Sequence, residues 1–307
     1  MKPEIALMIE GQDGLNWPRW QRIARAAEDL GFSGLFRSDH FTNPDPPDLD
    51  ALELWTSLAW LASHTQRLTF GSLVTPLSFR HPVLTAWMAI AVDDLSGGRL
   101  ILGLGAGWQV REHEMFGFDL LPPRERFLRF REGVEVIYRL LRSAEPVDFR
   151  GRFFQLKGAT LRPRPQRPGG PPLLIGGNGP RQTLRIAARY ADEWNAVLVP
   201  PERFQRLNAQ LNEYLAQEGR PPEQVRRSLM TGLVFGRDTA EVRRKLSGRS
   251  GEALRARGVL IGTPLEIREQ IERLGEVGVE RLMLQWLDLD DLDGLEHLAR
   301  AVLERSC

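Results

Sequence analysis

Two adjacent residues, Asp39 and His40, stand where a short apolar segment ends, and side chains of these types can move protons. Residues 34–36 read as a short buried strand, and a loop rich in proline and aspartate follows the pair. Burying an unpaired charge is costly, and a histidine titrates close to neutral pH. The pair therefore predicts either a proton-handling site at the carboxyl end of a strand or a structural Asp-His hydrogen bond that fastens the loop.

Glycine-rich segments end two later strands. Residues 103–108, GLGAGW, lack the G-x-G-x-x-G spacing of a dinucleotide site. Because glycine has no side chain, this segment predicts either the close approach of a flat ligand or a plain tight turn. Residues 176–182, GGNGPRQ, precede a predicted helix, whose free N–H groups suit a phosphate. The alternative for this second segment is a glycine turn with a proline helix start.

The other histidines and the acid-rich segments give weaker signals. The acid and arginine cluster in 111–117 and 122–127 is interpreted as a solvated helix start rather than as a substrate clamp. No partner pattern accompanies the remaining histidines, which predicts structural or solvated roles for His64, His81, His113 and His297.

Short apolar runs alternate with longer segments of helical period along the whole chain. The predicted strands are 5–9, 34–36, 68–74, 99–107, 172–177, 194–199, 228–235 and 281–287. Helices are predicted between them, one of which begins at a capping box formed by Thr263 and Glu266. Eight strands separated by helices favour a (β/α)8 TIM barrel over a doubly wound open sheet. In such a barrel the functional residues lie on the loops that follow the strands.

One stretch, 144–171, interrupts this rhythm. It contains RPRPQRPGG, which cannot form a regular element because proline removes backbone donors and glycine is flexible. We interpret it as an insertion between the fourth helix and the fifth strand, lying over the barrel, within one domain that covers residues 1–307.

The composition excludes several classes of protein. Of 307 residues, 42% are apolar and 26% charged, and the net charge is +1, so no electrostatic case exists for nucleic acid or an anionic membrane. The one cysteine, Cys307, allows no internal disulfide, and no Cys/His spacing predicts a metal site. No signal peptide or run of about 20 apolar residues is present, which predicts a cytoplasmic protein.

Four segments together resemble the luciferase-like monooxygenase superfamily, and in particular its branch that uses the deazaflavin coenzyme F420. They occur in the family's order over about the first two thirds of the chain. The segments are IARAAEDLGFSGLFRSDHF, LSGGRLILGLGAGW, the REHEMFG run before a long helix, and PPLLIGGNGPRQTLRIAARYADEWN.

The resemblance implies a barrel that holds a flavin-like ring against its strand ends, usually as a homodimer. It implies that His40 is the catalytic residue beside the hydride-transferring carbon and that Asp39 contacts the cofactor. Ser72 and Leu73 match a non-proline cis peptide that supports the ring. The remaining implied contacts are a phosphate-holding loop of Gly177, Asn178 and Gly179, and ring-pocket positions at Thr75 and Gly107.

The function implied by the resemblance is hydride transfer between F420 and a small organic substrate. Two alternatives stay open, an FMN-dependent monooxygenase that uses reduced flavin and molecular oxygen, and a non-catalytic flavin-binding barrel. Trp108 stands where the sugar-phosphate dehydrogenases of this branch have a glutamate, and 42–44 replace a tryptophan of theirs. These departures argue against glucose-6-phosphate as substrate and leave His40 as the one identified general acid.

Overall fold

Eight parallel strands close into a barrel in the computed structural model, which describes residues 2–303. β1 pairs with both β2 and β12, and the ring continues through β3, β5, β8, β9 and β10 back to β12. The predicted TIM barrel is therefore confirmed. The strands are β1 (Glu4–Ile9), β2 (Gly34–Arg37), β3 (Thr69–Ser72), β4 (Thr75–Pro76), β5 (Leu100–Gly105), β6 (Val147–Arg150), β7 (Gln155–Ala159), β8 (Leu173–Gly176), β9 (Glu193–Val197), β10 (Arg226–Phe235), β11 (Leu260–Gly262) and β12 (Arg281–Gln285).

Helices surround the barrel, and most of the long ones bury an apolar face against its outer surface. The first of them, for example, buries Trp20, Ile23 and Ala27 at helical spacing. The helices are α1 (Trp17–Asp29), α2 (Leu54–His64), α3 (Pro82–Leu95), α4 (Val110–Phe116), α5 (Pro123–Arg142), α6 (Thr183–Tyr190), α7 (Pro201–Gln217), α8 (Thr239–Leu246), α9 (Gly251–Ala256), α10 (Pro264–Glu276) and α11 (Leu292–Leu303). The predicted capping box of α10 is present, with the Thr263 N–H donating to Glu266 Oε2 at 2.8 Å.

A second apolar cluster fills the inside of the barrel, separate from the large core between sheet and helices. It is built from inward-facing strand residues, namely Ala6, Met8, Phe36, Leu73, Ile101, Leu174, Met230 and Met283. Three of these, Met8, Leu73 and Met230, also form the floor of the cavity described below. The barrel interior is thus packed, and the site rests on top of it.

The insertion at 144–171 lies between α5 and β8, as predicted, but it is more regular than the sequence indicated. β6 and β7 form an antiparallel hairpin, in which Phe149 pairs with Leu156. The proline-rich stretch 160–172 forms no helix or strand. The strands are four and five residues long, too short for their alternation of buried and exposed residues to stand out in the sequence.

Further elements between β10 and β12 were also not predicted. α8 and α9 lead into β11, which pairs in parallel with the carboxyl end of β10, from Leu233 to Phe235. β10 is ten residues long, so its last residues extend past the barrel and offer an edge for this extra strand.

Three further observations concern membrane segments, metal sites and the single cysteine. Among the helices of residues 2–303, none combines the length and the apolar composition that a membrane-spanning segment needs. The same residues contain no group of three or more His, Cys, Asp or Glu side chains placed to hold a metal ion. Cys307 lies outside the described residues.

Candidate active site

A cavity of about 480 Å³ opens at the carboxyl end of the barrel, within the size range of small-molecule sites. The segments that follow successive strands form its wall, as expected of a TIM barrel. They contribute Glu10 after β1, His40 after β2, Val74 after β3, Gly107 and Trp108 after β5, Asn178 after β8, and Leu198 after β9.

His40 is paired with a buried carboxylate, Glu112. The Nδ1 of His40 lies 2.9 Å from Glu112 Oε1, and the Phe41 N–H donates to Glu112 Oε2 at 3.1 Å. Only 1% of the Glu112 side chain is exposed. Because a carboxylate accepts, Nδ1 of His40 carries a proton. When the imidazole is neutral, Nε2 is therefore the nitrogen without a proton.

The second ring nitrogen of His40 is available to a ligand. Burial alone would lower the pKa of His40, but the hydrogen bond and the negative charge of Glu112 outweigh burial, so the pKa lies above its ordinary value. His40 lines the cavity, and Nε2 has no hydrogen-bond partner within residues 2–303. The side chain can therefore give a proton to, or take one from, an oxygen atom in the cavity.

Asp39 does not bond to His40, so the predicted alternative of a structural Asp-His hydrogen bond is wrong. Its carboxylate forms a two-point ion pair with Arg80, at 2.7 Å to Nε and 2.8 Å to Nη2. Arg80 Nη2 also donates to Glu53 at 2.8 Å. Asp39 is 3% exposed and is not part of the cavity wall, so in this structure it anchors the His40 loop through Arg80. Its contact with the cofactor stays a prediction.

The end of β3 differs from the expectation by one residue. The non-proline cis peptide joins Leu73 to Val74, and not Ser72 to Leu73. Leu73 and Val74 line the cavity, whereas Ser72 is fully buried and its Oγ donates to the Gly103 carbonyl oxygen at 2.8 Å. Thr75 is also fully buried and lies outside the cavity wall. Ser72 and Thr75 therefore support the wall from behind.

Gly107 lines the cavity and closes a tight turn above a buried serine-histidine pair. Its φ is +79°, and a Cβ there would lie 2.1 Å from Ser78 Oγ, so glycine is required. Ser78 Oγ lies 2.8 Å from His113 Nε2, and His113 Nδ1 lies 2.7 Å from the Gln109 carbonyl oxygen. Since a carbonyl only accepts, Nδ1 donates and Nε2 accepts from Ser78, which fixes the turn.

The glycine loop after β8 lines the cavity, but its amides are not all free. The Gly177 N–H donates to the Asn195 carbonyl oxygen at 2.9 Å, so it is not available to a phosphate. The Asn178 side chain brackets Val197, with Nδ2 donating to its oxygen at 2.7 Å and Oδ1 accepting from its N–H at 2.9 Å. The N–H groups of Asn178, Gly179 and Thr183 have no acceptor among the described residues. This loop therefore presents amides at the start of α6, where an anion is favoured.

One buried acceptor at the cavity wall is unsatisfied. Asn195 is fully buried and lines the cavity; its Nδ2 donates to Ser228 Oγ at 2.9 Å. Its Oδ1 has no partner among the described residues. A buried acceptor without a donor is costly, so this oxygen fits a ligand that brings an N–H or O–H group.

The geometry agrees with the match found by comparison with known proteins. Residues 7–257 match the family model described as luciferase-like monooxygenase. The chain belongs to this family. The resemblance stated from the sequence segments is confirmed.

Proteins similar to this chain include both F420-dependent dehydrogenases and a monooxygenase. An F420-dependent glucose-6-phosphate dehydrogenase of Nakamurella multipartita is 29% identical over 285 residues, covering 91% of this chain and 80% of that protein. A 4-hydroxyprotoasukamycin monooxygenase of Streptomyces nodosus subsp. asukaensis is 32% identical over 192 residues, 62% of this chain and 50% of that protein. This chain therefore aligns with only half the length of the second relative.

A solved structure supports the fold assignment. The F420-dependent secondary alcohol dehydrogenase in complex with an F420-acetone adduct superimposes with a TM-score of 0.83, covering 98% of this chain and 99% of that one. Sequence identity is 20%, so this likeness concerns the fold alone.

Sequence reasoning missed Glu112 and Arg80. The segment 111–117 was interpreted as a solvated helix start, but α4 buries Glu112 and His113. It exposes apolar residues instead, with Val110 56%, Met115 55% and Phe116 49% exposed. A helix whose polar residues face inward is a sign of a site, and the adjacent Glu-His pair directly after the glycine turn was the signal available in the sequence.

Proposed function

We propose that this chain is an F420-dependent oxidoreductase that transfers a hydride between the deazaflavin and a small organic substrate. The observation that supports this most is the His40–Glu112 pair, whose free Nε2 faces a cavity at the carboxyl end of the barrel. Relatives named as F420-dependent enzymes share the family. The pair supplies the proton that must accompany each hydride when an alcohol and a carbonyl interconvert.

The residues present fit such a cofactor. The free amides of Asn178, Gly179 and Thr183 would hold its phosphate, and the unsatisfied Oδ1 of Asn195 would accept a hydrogen bond from its ring system. Leu73 and Val74 provide an apolar surface for a flat ring. When bound, F420 supplies the two-electron acceptor or donor of the reaction.

The protein's own residues handle the proton and the orientation of the substrate. In alcohol oxidation, neutral His40 accepts the hydroxyl proton at Nε2; in carbonyl reduction, protonated His40 gives that proton to the oxygen. Glu112 holds the imidazole by Nδ1 and stabilises its charged form. The apolar floor of the cavity excludes water from the reacting atoms.

The first test is a titration of the purified protein with F420 and with FMN, followed by fluorescence. We expect F420 to bind in the micromolar range or tighter, and FMN at least about tenfold more weakly, a difference of ~1.4 kcal/mol. Selective binding of FMN would instead support a flavin monooxygenase, the second candidate, which the relative from Streptomyces nodosus subsp. asukaensis favours. Binding of neither compound would contradict the proposal.

Replacing Glu112 with glutamine is expected to move the pH profile of turnover to lower pH by about one unit or more. The variant keeps the shape of the side chain but removes the charge that raises the pKa of His40. The reducing direction needs protonated His40, so its rate falls as pH rises through this pKa. Because the pKa of His40 is lower in the variant, the fall begins at a lower pH. The measurement is kcat/KM against pH between 5 and 9.

A matched control lies two residues away on the same helix. Glu114→Gln makes the same chemical change at an exposed position and should leave the pH profile unchanged. If the dependence of kcat/KM on pH were the same in Glu112→Gln as in the wild type, a group other than His40 would supply the proton.

We further propose that a second copy of the chain covers the outer face of α3, as a homodimer. This helix is apolar on nearly all sides, and Leu84 and Leu95 are 60% and 55% exposed on it. Sedimentation should give twice the mass of one chain, and Leu84→Glu should reduce it to the mass of a monomer.

A further inference from the structure

The ionisable groups of the cavity wall leave no net positive charge for a substrate. The wall contains three such side chains, Glu10, His40 and Glu112, and no lysine or arginine of residues 2–303 contributes to it. When His40 is protonated, its charge is balanced by Glu112 at 2.9 Å. Glu10 then adds a negative charge that no cation in the wall offsets.

Glu10 is fixed in place as a hydrogen-bond acceptor. Gln285 Nε2 donates to its Oε1 at 2.7 Å, and Gln12 Nε2 donates to its Oε2 at 3.1 Å. Two side-chain amides thus present N–H groups to the two oxygens, the arrangement suited to a carboxylate. An anionic substrate in this cavity would lie near the Glu10 carboxylate in a partly buried setting, where like charges repel more strongly than in water.

The wall next to His40 is aromatic. The Trp108 ring lies 5.5 Å from the His40 ring, edge to face at 77°, and Trp108 is 59% exposed. Phe127 and Ala106 line the cavity with it. A molecule that reaches Nε2 of His40 therefore contacts an indole surface, whereas the free amides suited to a phosphate lie on the glycine loop after β8.

From these observations we propose that the substrate is a neutral, largely apolar alcohol or carbonyl compound, and that anions such as sugar phosphates are excluded. The proposal rests on the proposed function, because it names the substrate of the same cavity. Trp108 and Phe127 contribute apolar contact, His40 meets the substrate oxygen, and Glu10 disfavours a substrate that carries a carboxylate or phosphate.

A matched pair of ligands tests this directly. Acetophenone and 4-acetylbenzoate share the same ketone and ring and differ by one carboxylate. With the F420-loaded protein, we expect acetophenone to bind at least about tenfold more tightly than 4-acetylbenzoate, and glucose-6-phosphate not to be turned over.

Two variants assign the discrimination to the named residues. Glu10→Gln should raise the affinity for 4-acetylbenzoate and so reduce the ratio of the two affinities, acetophenone over 4-acetylbenzoate. Trp108→Arg places a cation on an exposed position beside His40, where folding should tolerate it, and should also favour the carboxylate. Trp108→Ala, the control for loss of the indole, should weaken acetophenone binding without improving that of 4-acetylbenzoate.

The outcomes that overturn the inference are distinct from failure of the proposed function. Equal or tighter binding of 4-acetylbenzoate, turnover of glucose-6-phosphate, or no binding of acetophenone at 10 mM would each overturn it. The affinities of acetophenone and 4-acetylbenzoate are also measured without cofactor, by the change in tryptophan fluorescence on binding. Trp108→Phe identifies the part of this change that comes from Trp108. If F420 fails to bind but the cofactor-free protein still prefers acetophenone, the cofactor assignment is wrong and the substrate class stands.

Discussion

Replacing His40 with alanine is expected to lower turnover by about two to four orders of magnitude, the usual contribution of a general acid or base. The cofactor should still bind within a few-fold of the wild type, because the glycine loop and Asn195 that would hold it are separate from His40. Only the proton donor and acceptor at Nε2 is lost. The measurement is steady-state kcat, together with a cofactor titration of the same preparation.

Removing His40 also leaves Glu112 without one of its two hydrogen-bond partners, so a structural effect must be separated from a chemical one. His40→Asn retains an N–H that can donate to Glu112 but cannot exchange a proton near neutral pH. An equal loss of turnover in both variants would assign the effect to proton transfer. His297→Ala is the control far from the cavity, since His297 is partly exposed and its Nδ1 lies 2.8 Å from the Asp293 carbonyl oxygen of its own helix. Unchanged turnover in His40→Ala would exclude His40 from the mechanism.

The barrel could be predicted because its strands are buried on both faces. A parallel strand of this kind reads as a continuous apolar run, as in IALMI of β1 or LLI of β8, and each run is separated from the next by a helical period. The short hairpin of β6 and β7 and the added β11 lack this signal. They form because neighbouring segments offer a partner edge, which sequence periodicity does not report.

The site was predicted less completely than the fold. Asp39 and His40 were recognised, but their partners come from distant parts of the chain, 41 residues away for Arg80 and 72 for Glu112. Hydrogen-bond pairing across a closed barrel depends on strand register and loop direction, and neither is readable from spacing. The same limit applies to Gly177, whose amide is taken by the backbone of Asn195 on the neighbouring strand.

Replacing Arg80 with methionine is expected to lower the free energy of unfolding by about 3–5 kcal/mol, the usual cost of breaking a buried ion pair from one side. Methionine keeps much of the length of the arginine side chain but leaves Asp39, 3% exposed, without its two charged hydrogen bonds. The measurement is urea denaturation at neutral pH. As a control, Arg19→Met removes an exposed ion pair with Asp290 and should have a much smaller effect.

The pH dependence of the Arg80→Met effect identifies its cause. Burial raises the pKa of Asp39 in the folded protein above its ordinary value even though Arg80 opposes this shift, so removing Arg80 raises the pKa of Asp39 further above its value in the unfolded chain. Between these two pKa values the folded state binds more protons than the unfolded state, so the free energy of unfolding falls as pH rises. Relative to the wild type, the variant should therefore lose less free energy of unfolding at pH 5 than at pH 8. Asp39→Asn added to Arg80→Met removes the buried charge and should recover part of the loss. A loss that is independent of pH and unchanged by Asp39→Asn would point to packing around Arg80, and the loop that carries His40 would then not depend on this ion pair.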